Sequence, residues 1–148
     1  MNGLRQRAIR LLARREHTHA ELRKKLAGSV DGCTAEEIET VLAELAGCGL
    51  LSDARAATSY LRGHGERFGA IKLKQTLRAR GIDDDTIAAG MENAELPEEL
   101  ERARVAWRRK FRSAPQDQRE WARQARFLQS RGFSVDIIRR LLKEQDRA

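Results

Sequence analysis

Residues 101–112 read ERARVAWRRKFR, a run in which basic side chains alternate with Trp107 and Phe111. Across residues 102–131 there are ten Lys and Arg against two acids, Asp117 and Glu120. Arginine presents a rigid fork of donors that matches phosphate or carboxylate in pairs. A run this one-sided therefore suits a face that follows a phosphate backbone or meets an acidic surface. Arginine is also a good helix former, and a solvated helix exterior would use it too. The imbalance exceeds what an exterior needs, so Arg108, Arg109, Lys110, Arg123, Arg126 and Arg131 are the leading candidates for partner binding. Trp107 and Phe111 fall on the apolar stripe of the same segment and are read as core rather than as platforms for stacking bases.

Two further basic groups occur. Arg14, Arg15, Arg23, Lys24 and Lys25 form one, and Lys72, Lys74, Arg78 and Arg80 the other. Each has acidic neighbours within its own stretch, which favours a plain solvated face. With the third group they could form a broken stripe along the molecule. Net charge is +7 over 148 residues, and residues 97–148 carry +6 of it, with 14 bases and 8 acids. Such a balance favours acidic partners.

Other chemistry is poorly supported. His17 and His19 lie two apart, but no third metal ligand accompanies them. Glu36–Glu37 and Asp83–Asp84–Asp85 occupy helix starts, where the backbone dipole favours negative charge. Cys33 and Cys48 show neither metal spacing nor a CxxC, which suits free thiols in a reducing cytosol. There is no Walker A loop, GxGxxG or GxSxG, and no residue set points to an enzyme or a cofactor. The N-terminal stretch is charged and amphipathic, unlike a secretory signal, and no apolar run is long enough to span a membrane.

The elements that must carry these residues are helical throughout. Leu4, Ala8, Leu11 and Leu12 share one face of a first helix. Thr18 with Glu21, and Thr34 with Glu37, have the spacing of a capping box. Gly28 is expected to stop the second helix, and Gly47 or Gly49 the third. Ser52 or Asp53 opens the next helix, with Ala57, Tyr60 and Leu61 inward. The GHGERFG stretch is read as a loop. Ala70, Leu73 and Leu77 line a helix that ends at Gly81, and Asp83 caps one with Ile87 and Met91. Pro97 suits a first helical position, with Leu100, Ala103, Trp107 and Phe111 on one face. Trp121, Ala125 and Leu128 form the next stripe, and Ser134 caps a last helix with Ile138, Leu141 and Leu142. Strand alternation is lacking, and the one hairpin-like pair, Asp31–Gly32, sits between helices.

This all-α reading contains a repetition. LRARGIDDDTIAAGM (77–91) and LQSRGFSVDIIRRLL (128–142) align at a separation of 51 positions, Arg80-Gly81 on Arg131-Gly132 and Ile87 on Ile138. The phrase joins the second and third helices of a three-helix unit. Nine helices thus fall into three tandem three-helix units, residues 1–52, 53–96 and 97–148. Such an array is expected to be elongated and curved, each unit contacting its neighbour.

LARREHTHAELRKKL (12–26), GLLSDARAATSYL (49–61), the glycine- and leucine-spaced pattern from Gly69 to Ile82, and RGFSVDII (131–138) together resemble the bacterial RecX regulatory family, collinearly over about residues 8–142. Thr18 stands where the family usually has Ser, and it keeps the capping hydroxyl. The resemblance implies a regulator that binds the RecA recombinase filament on single-stranded DNA; a monomer in the cytoplasm, with double-stranded DNA a further partner, is expected beside it. It implies lowered ATP hydrolysis, strand exchange and co-protease activity. A free-standing helix-turn-helix DNA-binding protein is the alternative, since each unit has a glycine turn between its second and third helices. The amphipathic third helices offer it few base-reading side chains.

Overall fold

Helix starts and stops in this chain are set by side-chain caps and glycine turns, and the computed structural model shows both at work. It describes residues 2–29 and 32–147, and Asp31 of the Asp31–Gly32 pair lies outside them. Among the described residues there are nine α-helices and no strand. They are α1 (Asn2–Arg14), α2 (His19–Ser29), α3 (Ala35–Gly47), α4 (Asp53–His64), α5 (Ala70–Ala79), α6 (Asp84–Asn93), α7 (Glu99–Lys110), α8 (Gln118–Ser130) and α9 (Val135–Asp146).

The capping box at α2 is reciprocal. Thr18 Oγ1 accepts from the Glu21 N–H at 3.0 Å, and Glu21 Oε1 accepts from the Thr18 N–H at 3.1 Å. Thr34, Ser52, Asp83, Asp117 and Ser134 each accept from the backbone N–H three residues on. Of the two caps open at α4, Ser52 is the one used. Asp53 turns instead to the His19 N–H at 2.8 Å and His19 Nδ1 at 3.1 Å.

Four local expectations fail for identifiable reasons. Gly28 lies inside α2, and the left-handed glycine of that connection is Gly32 (φ +82°). Pro97 precedes α7, whose cap is Glu98, so that the Pro97 carbonyl stays open to accept from Arg102. GHGERFG is not all loop, because Gly65–Arg67 form a 3₁₀ turn. Trp121 is 39% exposed. Gln124 takes the inward place, because its Oε1 accepts from the buried Trp107 indole N–H at 2.7 Å.

Contacts gather the chain into two compact bodies. The first contains Met1–Ser59 and Leu77–Asn93, the second Tyr60–Thr76 and Ala94–Ala148. Repeats count copies and bodies count contacts, so the middle stretch is shared out between them. The first body is centred on Leu4, Leu22, Leu26, Ile38, Leu42 and Leu45. The second is built on Ala103, Trp107, Phe111, Leu128, Phe133, Ile138 and Leu141. At about 25 cal/mol per Å² of apolar surface removed from water, each such Leu, Ile or Phe contributes roughly 1.5–3 kcal/mol.

Each body contains one copy of the repeated phrase. In the first, Gly81 (φ +88°) donates to Arg78 O at 2.9 Å and Ile82 N–H to Leu77 O at 3.2 Å. In the second, Gly132 (φ +88°) donates to Gln129 O at 2.9 Å and Phe133 N–H to Leu128 O at 3.2 Å. This pair of bonds closes a helix end through a left-handed residue, which glycine adopts without steric cost. The apolar residue that follows, Ile82 or Phe133, is buried. The carbonyl before each glycine is also used. Thr18 Oγ1 donates to Arg80 O at 2.6 Å, and, 51 residues on, the Gly69 N–H donates to Arg131 O at 2.8 Å.

Candidate anion-binding surface

Basic residues are abundant here, and acids or carbonyls already hold several of them. Arg102 is buried and donates to Phe68 O at 3.1 Å and to Pro97 O. It is a structural strut and drops out of the basic run. Arg104 bridges Glu101 and Glu144, with bonds of 2.8 and 2.7 Å to the latter, which hold the Glu144 carboxyl below its ordinary range. Arg123 grips Glu120 through two bonds of 2.9 and 2.7 Å and lies 5.0 Å from the Phe111 ring centre. That grip draws the Glu120 carboxyl down to about 2. Arg108 approaches Glu101 at 3.5 Å.

Arg109, Lys110 and Arg131 are exposed, and none forms an ion pair among the described residues; neither does Arg126. The first three meet in one groove of about 230 Å³, with Arg67 from the 3₁₀ turn as a fourth cation and Glu66 as an acid in the lining. Phe127 is the aromatic part of its wall, beside Val105 and Ala106. Lys110 Nζ stands 5.8 Å and Arg131 Cζ 5.2 Å from the Phe127 ring centre, within the range of cation–π attraction. Phe111 meets Phe127 edge to face at 5.4 Å and ties the ring to the core.

Local structure explains this placement. Helix α7 ends at Lys110 and α8 at Ser130, with Arg131 as the residue that closes it. Cations at helix C-termini offset the partial negative charge of the last carbonyls. Two such ends bring Lys110 and Arg131 to one ring, and the 3₁₀ turn adds Arg67. The groove can hold an anion that also presents an apolar or planar group. Arg67 was not among the candidates read from the sequence. It stands alone in a glycine-rich turn, and only the fold brings it beside α7 and α8.

The other predicted site residues are placed as follows. Arg14, Lys24 and Lys74 are exposed. Arg15 pairs with Glu21 at 2.9 Å and Arg23 with Glu39. Lys25 Nζ lies 2.9 Å from Nε2 of buried His17, whose Nδ1 is 3.0 Å from Arg15 O. Lys72 is half-buried, its Nζ 4.8 Å from the Phe68 ring centre. His17 and His19 are thus both engaged by protein groups. Cys33 and Cys48 are free. No helix among the described residues is long and apolar enough to cross a membrane.

Three family models match this chain in order: the first three-helix domain of RecX over residues 5–45, the second over 52–91 and the third over 97–142. A regulatory protein RecX from Leptothrix cholodnii is 45% identical over 144 residues, covering 97% of this chain and 90% of that protein. One from Chromobacterium violaceum is 42% identical, covering 95% and 89%. The crystal structure of RecX from Lactobacillus salivarius superposes with a TM-score of 0.78 at 22% identity, over 99% of this chain and 97% of the other. At that identity the likeness speaks for the fold.

Proposed function

This chain belongs to the RecX family of regulatory proteins, and from that premise we propose that it binds the RecA filament on single-stranded DNA and restrains it. The observation that carries this reading is the groove of unpaired cations, Arg67, Arg109, Lys110 and Arg131, in a chain of that family. Arg126 and the exposed bases of the first body, Arg14 and Lys24, add to the attraction. A filament of protein on DNA offers such cations both carboxylates and phosphates.

Restraint of this kind needs no catalysis by the chain. A ligand that binds one state of the filament better than another shifts the population by its difference in affinity. Lower ATP hydrolysis, strand exchange and co-protease activity are all downstream of that shift. The chain acts as a monomer in the cytoplasm on this reading.

The test is RecA ATP hydrolysis on single-stranded DNA with this protein titrated in. Inhibition well below one molecule per RecA subunit is the expected result. No inhibition at concentrations that coat bare DNA would overturn the reading and leave an independent DNA-binding protein. Reversing charge at Arg126 and Arg109 should weaken inhibition about tenfold or more at low salt, with the helical circular dichroism unchanged.

A further inference from the structure

We propose that the groove between the 3₁₀ turn and the ends of α7 and α8 is a subsite for one nucleotide step of single-stranded nucleic acid. The phosphodiester is held by Arg67, Arg109 and Arg131, and the base lies against the wall that Val105, Ala106 and Phe127 provide. The inference deepens the proposed function and rests on it for the identity of the acid partner as DNA.

Charge complementarity comes first. Four cations and one acid line the groove, and none of the four cations forms an ion pair among the described residues. Elsewhere in the same body Arg104 and Arg123 are tied to glutamates. The groove therefore keeps an uncancelled positive field, unlike those two arginines. An anion entering it displaces no internal pair.

The wall decides which anion. Phosphate alone needs only cations, and so does the backbone of a duplex, whose bases are stacked inside. Here an aromatic ring and two aliphatic side chains stand beside the cations, Phe127 steadied by Phe111. Single-stranded nucleic acid offers a charged phosphate and a planar apolar face at every nucleotide. That repeat is what an aromatic platform within a basic groove accommodates. An acidic peptide meets the same pattern only where its sequence happens to alternate. Arg131 Cζ, 5.2 Å from the Phe127 ring centre, keeps the cation and the ring side by side, as a phosphate and its base require.

The subsite also gives Arg67 a role that composition did not. It is the one cation of the four contributed from before α5, so the DNA step is read jointly by the middle repeat's turn and the third repeat's helix ends.

The experiment is fluorescence anisotropy of a labelled oligothymidylate with the full chain, over a series of salt concentrations and without RecA. The double variant Arg67→Gln/Arg131→Gln should bind about tenfold more weakly at low salt. Its dependence of log affinity on log salt should flatten by about 0.7, the share of the one phosphate that these arginines help to hold. The charge-matched control Arg139→Gln/Lys143→Gln, exposed on α9, should change affinity less than about twofold. Phe127→Leu should weaken single-stranded binding about fivefold while leaving duplex binding unchanged, since only the single strand uses the ring.

Equal losses in the double variant and the control would overturn the subsite, because any surface base would then serve. So would an unchanged oligothymidylate affinity accompanied by lost binding to DNA-free RecA, which would assign the groove to an acidic protein surface. Thermal melts of each variant identify loss by unfolding, and the double variant should melt as the parent does. RecA inhibition by the parent chain, measured alongside, separates the two claims. A parent that binds oligothymidylate through the groove but does not inhibit RecA sinks the proposed function and supports the subsite.

Discussion

The two copies of the repeated phrase build the same joint from different atoms. In the first body a side chain makes the contact: the Thr18 hydroxyl reaches Arg80 O, and a Cβ placed on Gly81 would come 2.4 Å from Ala20 Cβ. In the second body backbone meets backbone. The Gly69 N–H reaches Arg131 O, Ile71 N–H reaches Gly132 O at 3.1 Å, and a Cβ on Gly132 would lie 2.3 Å from Lys72 Cβ and 2.6 Å from Lys72 N. A Cβ on Gly69 would in turn meet Gly132 O at 2.3 Å. The first joint thus needs one glycine and a hydroxyl, whereas the second needs two glycines. One geometry is reachable by either route, but only in the second would the glycine's Cβ also meet main-chain atoms within 3 Å.

Gly132→Ala tests that difference most severely. It combines a left-handed backbone with a clash against main-chain atoms, so a loss of about 3–5 kcal/mol is expected in urea denaturation, the sum of both penalties. Gly81→Ala should cost less, about 2–4 kcal/mol, and part should be recovered by Ala20→Gly, with a coupling of about 1–2 kcal/mol in a double-mutant cycle. Lys72→Gly should recover less of Gly132→Ala, because it removes the Cβ contact but leaves the Lys72 nitrogen at 2.6 Å. Equal coupling in both cycles would break the distinction.

Thr18→Val comes next. It removes the cap bond to the Glu21 N–H and the part-buried hydroxyl bond to Arg80 O, for a loss of about 2 kcal/mol. Thr18→Ser should stay within about 0.5 kcal/mol of the parent, since the hydroxyl is what both contacts use. The corresponding position of the second joint, Gly69, has no side chain to delete.

The smallest effect is a pH dependence found in one joint only. His17 is buried and its pKa is lowered, chiefly by burial, with the charges of Arg15 and Lys25 adding to the effect. A histidine depressed in the folded state is neutral in both states at high pH. As pH falls below about 6.5 the unfolded chain protonates first, so stability declines on acidification. Glu21 follows at lower pH. Burial raises its pKa, but bonds from Arg15 and the Thr18 N–H outweigh this, so its contribution holds above the ordinary carboxylate range and fades below it. Phe68 occupies the place of His17 in the second joint. His17→Phe should therefore flatten the stability profile between about pH 7 and 5.5. An unchanged slope would remove His17 from the account.

These contrasts bear on what could be read from the chain beforehand. Thr18, Thr34, Asp83 and Ser134 were legible as caps, because a cap is satisfied by a backbone N–H three residues away. Gly81 and Gly132 were legible as left-handed turns for the same local reason. Their close approach to Ala20 and Lys72 was not, since it depends on residues some 60 positions distant. The binding face was partly legible. Arg109, Lys110 and Arg131 stood out by number, but Arg102 looked identical to them until the carbonyls of Phe68 and Pro97 were seen to claim it. Arg67 gave no signal, because a single base in a turn has no period. Trp121 was placed inward where Gln124 is, since the indole N–H of Trp107 draws a polar partner inward against the apolar rule.

The division of the core has a spectroscopic consequence. Tyr60, Phe68, Trp107, Phe111, Trp121, Phe127 and Phe133 all belong to the second body, and the first contains no Phe, Trp or Tyr. Intrinsic tryptophan emission is therefore silent about half the molecule, while far-ultraviolet dichroism sees the helices of both. A denaturation followed by the two signals in parallel reports, without any label, whether the halves melt as one cooperative unit or in succession.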